Sequence, residues 1–253
     1  KKQGLDVSFF GKIGNDIAGK KILQELEDFK IDTSNIRYSE NYGTATSYVI
    51  PTLSGDRTIF AYRGANKDIL KDDLPSQAII ESDFIYITSL SKKSAARLPE
   101  IVKLASKNDT KVAINPGSSQ LSLGESFIKD SLFGIDTLVL NYQEAQKLML
   151  SLLSIEDEDI VESKKSLENA PVSTDNIDFL NSTFRLKDFF KITLDLGPKT
   201  IVVTDGANGV YAATKERIYH CESLKIKNVV NTLGAGDAFS STFCANIYKG
   251  KSI

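Results

Sequence analysis

Asn231-Thr232-Leu233-Gly234-Ala235-Gly236-Asp237-Ala238-Phe239 is the stretch from which the rest of the chain can be ordered. It follows the apolar pair Val229-Val230, and after it Phe239, Phe243 and Ile247 recur at helical spacing, so the small residues stand at a strand-to-helix turn. Without bulky side chains, the amides of Gly234, Ala235 and Gly236 can approach an anion closely, and the helix dipole adds to the attraction. A phosphate suits that geometry. Asp237, in the first turn, has two readings: a helix cap, or a carboxylate that accepts the proton of an alcohol attacking a phosphoryl group. Two commoner nucleotide motifs fail. A dinucleotide fingerprint needs glycine where Phe239 stands, and a P-loop ending in Gly250-Lys251-Ser252 needs glycine where Ala245 stands.

Toward the amino terminus, residues 201–203, 138–140, 112–114 and 84–88 are short apolar runs, with helical patterns near 95–106, 143–150 and 186–194. Such alternation predicts βαβ units around a mostly parallel sheet, an α/β fold. Residues 7–10 form another strand-like run that Gly11-Lys12-Ile13-Gly14-Asn15-Asp16 breaks. Asp16 can cap the helix that follows, and Ile22, Leu26 and Phe29 place an apolar stripe against a sheet. Tyr48-Val49-Ile50 and residues 58–62 flank the turn signal Ser54-Gly55-Asp56 and read as a β-hairpin. Residues 154–176 include Glu156-Asp157-Glu158-Asp159, break the rhythm, and read as a solvated acidic insertion.

Composition narrows the function classes. With 253 residues, 41% of them hydrophobic, the chain can bury one substantial core. Its 31 basic and 33 acidic residues leave a net charge of −2, which supplies no basic field for nucleic acid or anionic lipid, so the expected partner is a small molecule. Cys221 and Cys244 have the spacing of neither a disulfide framework nor a zinc site, which points to a reducing compartment, the cytoplasm. There is no apolar run of membrane-spanning length, so no membrane partner is expected. The single His220 has no second imidazole with which to share a metal, and reads as a surface or strand residue.

Gly234-Ala235-Gly236-Asp237-Ala238-Phe239 at the start of a late helix resembles the signature of the ribokinase-like sugar kinases, the phosphofructokinase B type. Other segments fall into that family's order. Residues 11–19 resemble its early G-x-x-G-x-D-x-x-G turn, while Ser54-Gly55-Asp56-Arg57-Thr58 and Arg63-Gly64-Ala65-Asn66 resemble a lid hairpin and its return. Asn115-Pro116-Gly117 is similar to the family's N-P segment, Asn141-Tyr142-Gln143-Glu144 to N-x-x-E, and residues 204–209 to the T-x-G-x-x-G turn that contacts nucleotide. Each motif alone is weak; six in order span nearly the whole chain.

The resemblance implies one ribokinase-like catalytic domain over 1–253, of three layers, α/β/α, with a β lid at 43–64 and the insertion at 154–176. It implies an ATP-dependent kinase acting on an alcohol group of a sugar, with Asp237 as base and the Gly234, Ala235 and Gly236 amides neutralising developing charge. Asn141, Thr204, Gly206 and Gly209 would hold the nucleotide, Glu144 would hold Mg²⁺ through water, and Thr44, Ser47, Asn115 and Asp237 would meet the sugar. Read without the family, Asn141 and Glu144 are a helix-capping pair, and Gly206 and Gly209 an ordinary turn. Asn231 stands where the family carries an Asp near a monovalent cation, which leaves potassium dependence open. The family's opening strand has no counterpart before Lys1, and Ile253 falls in or just after the helix that Gly234 opens, so the chain is expected to be truncated at both ends. Two rivals remain: a nucleoside kinase, with Phe60 and Tyr62 offered to the base, and a non-catalytic relative. The hairpin has a second reading as a homodimer interface. Replacing 154–176 by a short linker is expected to change stability by no more than about 1 kcal/mol in urea unfolding. Collapse of folding would show that the segment packs.

Overall fold

Six short runs become the strands of one sheet. The computed structural model describes residues 1–51, 57–154, 177–179, 182–225 and 232–253. The turn Ser54-Gly55-Asp56, the pair Val229-Val230, Asn231 and all of the insertion beyond Ser154 lie outside them. In the sheet, β5 (Phe84–Ile87), β6 (Lys111–Ile114), β7 (Thr137–Asn141) and β10 (Thr200–Thr204) run parallel. Then β11 (Val210–Ala213) and β12 (Ile218–Cys221) continue it antiparallel, in the order β12-β11-β10-β7-β6-β5. Strands covered on both faces need apolar residues at consecutive positions, and Leu138, Val139 and Leu140 are all buried.

The period of two sorts these residues between two layers. Val112, Ile114, Leu138, Leu140, Ile201 and Val203 face one core, shared with the helices Leu98–Lys107, Tyr142–Ser154 and Leu186–Asp195. Their neighbours Ala113, Val139 and Val202 face the other, where Phe239, Phe243 and Cys244 of the helix Ala235–Tyr248 pack. Helix, sheet and helix form the three layers the resemblance implies.

The amino-terminal region departs from its prediction. Residues 7–10 contribute only an isolated bridge, Ser8 to Asp32; the strand, β1, is Lys12–Gly14, inside the supposed break. It pairs in parallel with β2 (Arg37–Ser39) as a separate small sheet. Burial explains the shift. Lys12 is buried because its ammonium reaches Asp73 at 2.7 Å and the Asp68 carbonyl at 3.1 Å, which a solvated turn would not require. The helix Ile17–Asp28 therefore lies beside this pair and not on the main sheet. Its expected stripe is only half-buried at Ile22 and Leu26, and Phe29 is exposed.

The predicted hairpin forms from β3 (Thr46–Pro51) and β4 (Arg57–Tyr62), with Tyr48 opposite Phe60. A second antiparallel pair, β8 (Ile177–Phe179) and β9 (Ser182–Phe184), was not legible in the polar sequence around it. At the base of the first hairpin the chain closes on itself. Gly64 has φ +43°, and a Cβ there would stand 2.3 Å from the Gly43 carbonyl oxygen. Gly124 also has positive φ, but open space around it. Gly64→Ala is expected to cost about 2 kcal/mol or more, while Gly124→Ala costs about 1 from backbone strain alone. Equal losses in urea unfolding would mean that the approach at Gly43 is easily relieved.

Candidate active site

Parallel strands all end on one edge, and in such sheets ligands bind beyond the carboxyl ends. Asn141 ends β7 and Thr204 ends β10, directly opposite each other in the pairing. Asn115 follows β6, and its amide donates to the Val139 carbonyl at 3.0 Å. Between the loops after β5 and β6 lies a cleft of about 260 Å³, lined among others by Arg63, Ser89, Asn115, Gly117, Ser118 and Glu144.

One buried side chain shapes that cleft. Gln120 accepts from the amides of Leu90 (2.9 Å) and Gly117 (2.7 Å), and donates to the Thr88 carbonyl at 3.2 Å. Both loops are thereby tied together. Gly117 lies against Ser89, where a Cβ would meet the hydroxyl at 1.9 Å, so only glycine permits this spacing.

Asn141 and Glu144 form a reciprocal capping box: the Asn141 amide donates to Glu144 Oε2 at 2.8 Å, and the Glu144 amide to Asn141 Oδ1 at 2.9 Å. The capping reading is therefore correct as structure. Glu144 nonetheless lines the cleft, with the Asn115 side chain among the groups that hydrogen-bond it. Partial burial raises its pKa above the usual 4.5, opposed by the bonds from Asn141 and Asn115 and by Lys147.

At the start of the helix Ala235–Tyr248, Gly234 is the cap residue in the left-handed conformation, φ +75°, and no side chain caps the helix. This removes the capping role considered for Asp237. Asp237 is exposed, and its carboxylate makes no hydrogen bond among the described residues. Of the three amides expected to face an anion, that of Ala235 is taken by the Thr232 carbonyl at 3.2 Å. A turn preceding the helix consumes it. Gly234 and Gly236 stand in open space, as a phosphate-binding turn requires.

Tyr86, on β5, links the two halves. Its hydroxyl is buried without a hydrogen bond of ordinary geometry. Loss of solvent, with Cys244 and the carboxylates of Asp237 and Glu144 nearby, pushes its pKa up to about 12 although Ser240 acts in the opposite sense.

The remaining predicted residues separate. Thr204 donates weakly to the Leu140 carbonyl, 3.4 Å away. Gly206 is exposed, with φ +51° and open space around it. Gly209, φ +98°, is buried against β12, where a Cβ would meet the Cys221 carbonyl at 2.2 Å, so its glycine is already demanded by packing. Thr44 is buried, its hydroxyl 2.6 Å from Asp16 and its amide 2.8 Å from the same carboxylate. It anchors the hairpin and is not free to meet a sugar. Ser47 is exposed on β3, away from the cleft lining. Sequence reading missed Gln120, Tyr86 and the serines of the cleft, since each takes its role from a neighbour distant in the chain. No group of three metal-ligating side chains occurs among the described residues. No described helix is long and apolar enough to cross a membrane.

The pfkB family carbohydrate kinase model matches residues 1–253. The chain belongs to that family. As a carbohydrate kinase of this family it is an ATP-dependent enzyme. It is 27% identical over 251 residues to a ribokinase of Staphylococcus aureus, covering 97% of this chain and 70% of that protein. To a 5-dehydro-2-deoxygluconokinase of Halalkalibacterium halodurans it is 25% identical over 264 residues, covering 100% and 71%. Its fold superposes on the Arabidopsis thaliana ribokinase complexed with ribose and ATP with a TM-score of 0.68 at 20% identity, over 97% of this chain and 70% of that one. The chain thus spans about 70% of the length of these kinases.

For this kinase the raised pKa of Glu144 has a thermodynamic consequence. A carboxyl whose folded pKa exceeds its unfolded value binds protons on folding, so stability falls as pH rises from the ordinary Glu value through the raised one. Glu144→Gln keeps an acceptor for the Asn141 amide and removes the titration. The variant is expected to gain stability relative to the parent as pH rises from about 4 to about 7, measured by urea unfolding. A difference independent of pH would show that Glu144 titrates normally.

Proposed function

We propose that this kinase moves the γ-phosphoryl group of ATP to a hydroxyl of a sugar, with Asp237 as the general base. The Asp237 carboxylate and the Gly234 and Gly236 amides, all without hydrogen-bond partners among the described residues at a helix start, are the observation that carries this reading. The acceptor hydroxyl gives its proton to Asp237 as its oxygen bonds to the γ-phosphorus; the bond from that phosphorus to the bridging oxygen breaks, and ADP leaves. The amides then offset the charge that develops on the transferring group. The nucleotide would lie along the edge formed by Asn141, Thr204 and Gly206, with Gly209 shaping the turn. The donor set suits a hydrated Mg²⁺, since Glu144 is a carboxylate with amide neighbours and no acidic cage surrounds it among the described residues. Bound there through water, the ion would supply charge neutralisation to the phosphates. The chain's own part is to orient that water shell through Glu144.

The polar cleft holding Asn115, Ser89 and Ser118 favours a sugar over a nucleoside, whose base would need an apolar slot. The hairpin of β3 and β4, rooted at Gly43 and Gly64, serves as the lid that excludes water, which would otherwise compete as acceptor. Its exposed Tyr48, Ile50, Phe60 and Tyr62 offer a surface on which a second copy could also seat.

Asp237→Asn preserves size and removes the base. It is expected to lower kcat by roughly 10²-fold or more in a coupled ADP-release assay, with KM for ATP little changed. Turnover near the parental rate would take Asp237 out of the mechanism.

A further inference from the structure

Arg63 is the one cation among the described residues lining the cleft. It makes no ion pair or hydrogen bond among the described residues, and none with Glu144, the lining carboxylate. Other basic groups nearby are committed: Lys12 to Asp73 at 2.7 Å, and Lys67 over the ring of Tyr42 at 3.9 Å. The backbone under Arg63 is held firmly. Gly64 is pressed on the Gly43 carbonyl, Ala65 donates to that carbonyl at 2.9 Å, and buried Ser94 accepts from the Ile69 amide and donates to the Asn66 carbonyl, both at 2.8 Å. The guanidinium stands on a fixed base and faces a cleft lined by hydroxyls, amides and the Glu144 carboxylate, and none of these, nor any other described residue, pairs with it.

We propose that the acceptor supplies it: the sugar carries an anionic group, a carboxylate or a phosphate, which Arg63 binds. This rests on the reading of the cleft as the acceptor site of the kinase. The planar fork of arginine matches the two oxygens of either anion, and such charge-assisted pairs are about twice as strong as neutral hydrogen bonds. Ser89, Ser118 and Asn115 meet the hydroxyls of the remaining polyol. A volume of about 260 Å³, enclosed by loops that Gln120 ties together, suits one such sugar.

The test uses matched acceptors that differ in charge: glucose against gluconate for the carboxylate arm, and fructose against fructose 6-phosphate for the phosphate arm. Each is measured by calorimetric binding and by coupled ADP release with the full chain. At least one anionic member is expected to bind about 10-fold or more tighter than its neutral counterpart, and the arm in which this happens identifies the anion. Arg63→Gln is expected to reduce that anionic-to-neutral ratio by roughly 10-fold or more, with Arg63→Lys between the two. Unfolding in urea at the parental midpoint confirms that the variants fold. No preference for either anion, or a ratio unchanged in Arg63→Gln, would overturn the proposal. So would an equal rise in KM for ATP with every acceptor, since the guanidinium would then serve the nucleotide. Anion binding that depends on Arg63 without any ADP release would support the subsite and defeat the kinase reading instead.

Discussion

The Asp16 carboxylate holds together the parts of this molecule that the main sheet does not. One oxygen accepts from the Gly19 amide at 2.8 Å and from the Thr44 hydroxyl at 2.6 Å; the other accepts from the Thr44 amide at 2.8 Å. These bonds, the Thr44 hydroxyl foremost, hold its pKa below the usual carboxylate range. The Thr44 hydroxyl also accepts from the Gly14 amide at 2.9 Å. A single acid therefore joins the start of a helix, the end of β1 and the root of the hairpin. Because Cβ atoms at Gly14, Gly19 and Gly64 would all collide with this junction, three glycines are needed for it to close.

From that junction the cleft follows. The hairpin returns through Arg63 and Gly64 onto a segment secured by Ser94, and this sets one wall. The opposite wall belongs to the main sheet, where Gln120 binds the loops after β5 and β6 and the capping box orients Glu144. The helix Ala235–Tyr248, where the phosphates are proposed to bind, sits on the other face, its Cys244 and Phe243 packed against Val139 and Val202. Chemistry across the sheet edge thus depends on two cores meeting at one row of strands. Tyr86 lies near that meeting, since the charges of Asp237 and Glu144 both add to the rise in its pKa.

Residues with a structural duty beside a proposed chemical one were the hardest to read in the sequence. Asn141 and Glu144 satisfy the capping pattern while Glu144 also lines the cleft, so the family motif and an ordinary capping box coincide in the same bonds. Thr44 fits a polar lid residue by type, yet its partner Asp16 lies 28 positions away and uses both of its polar groups. Asp237 presents the reverse case. Its position in the first turn suggests a cap, but Gly234 takes the cap position through a left-handed conformation and leaves the carboxylate free.

Local pattern alone determined the α/β layering, the four parallel strands and the order of the motifs, because apolar runs buried on both faces and small residues at a helix start are properties of neighbouring residues. It also determined that Asp16 caps a helix, since that bond spans three positions. Only the tertiary structure decided that β1 begins at Lys12, that Gln120 ties the cleft, and that Arg63 faces it without a partner among the described residues. Lys12 reaches Asp73 and Gln120 reaches Leu90, contacts 61 and 30 positions apart. Such pairings depend on where the whole fold brings distant segments, and no local periodicity records them.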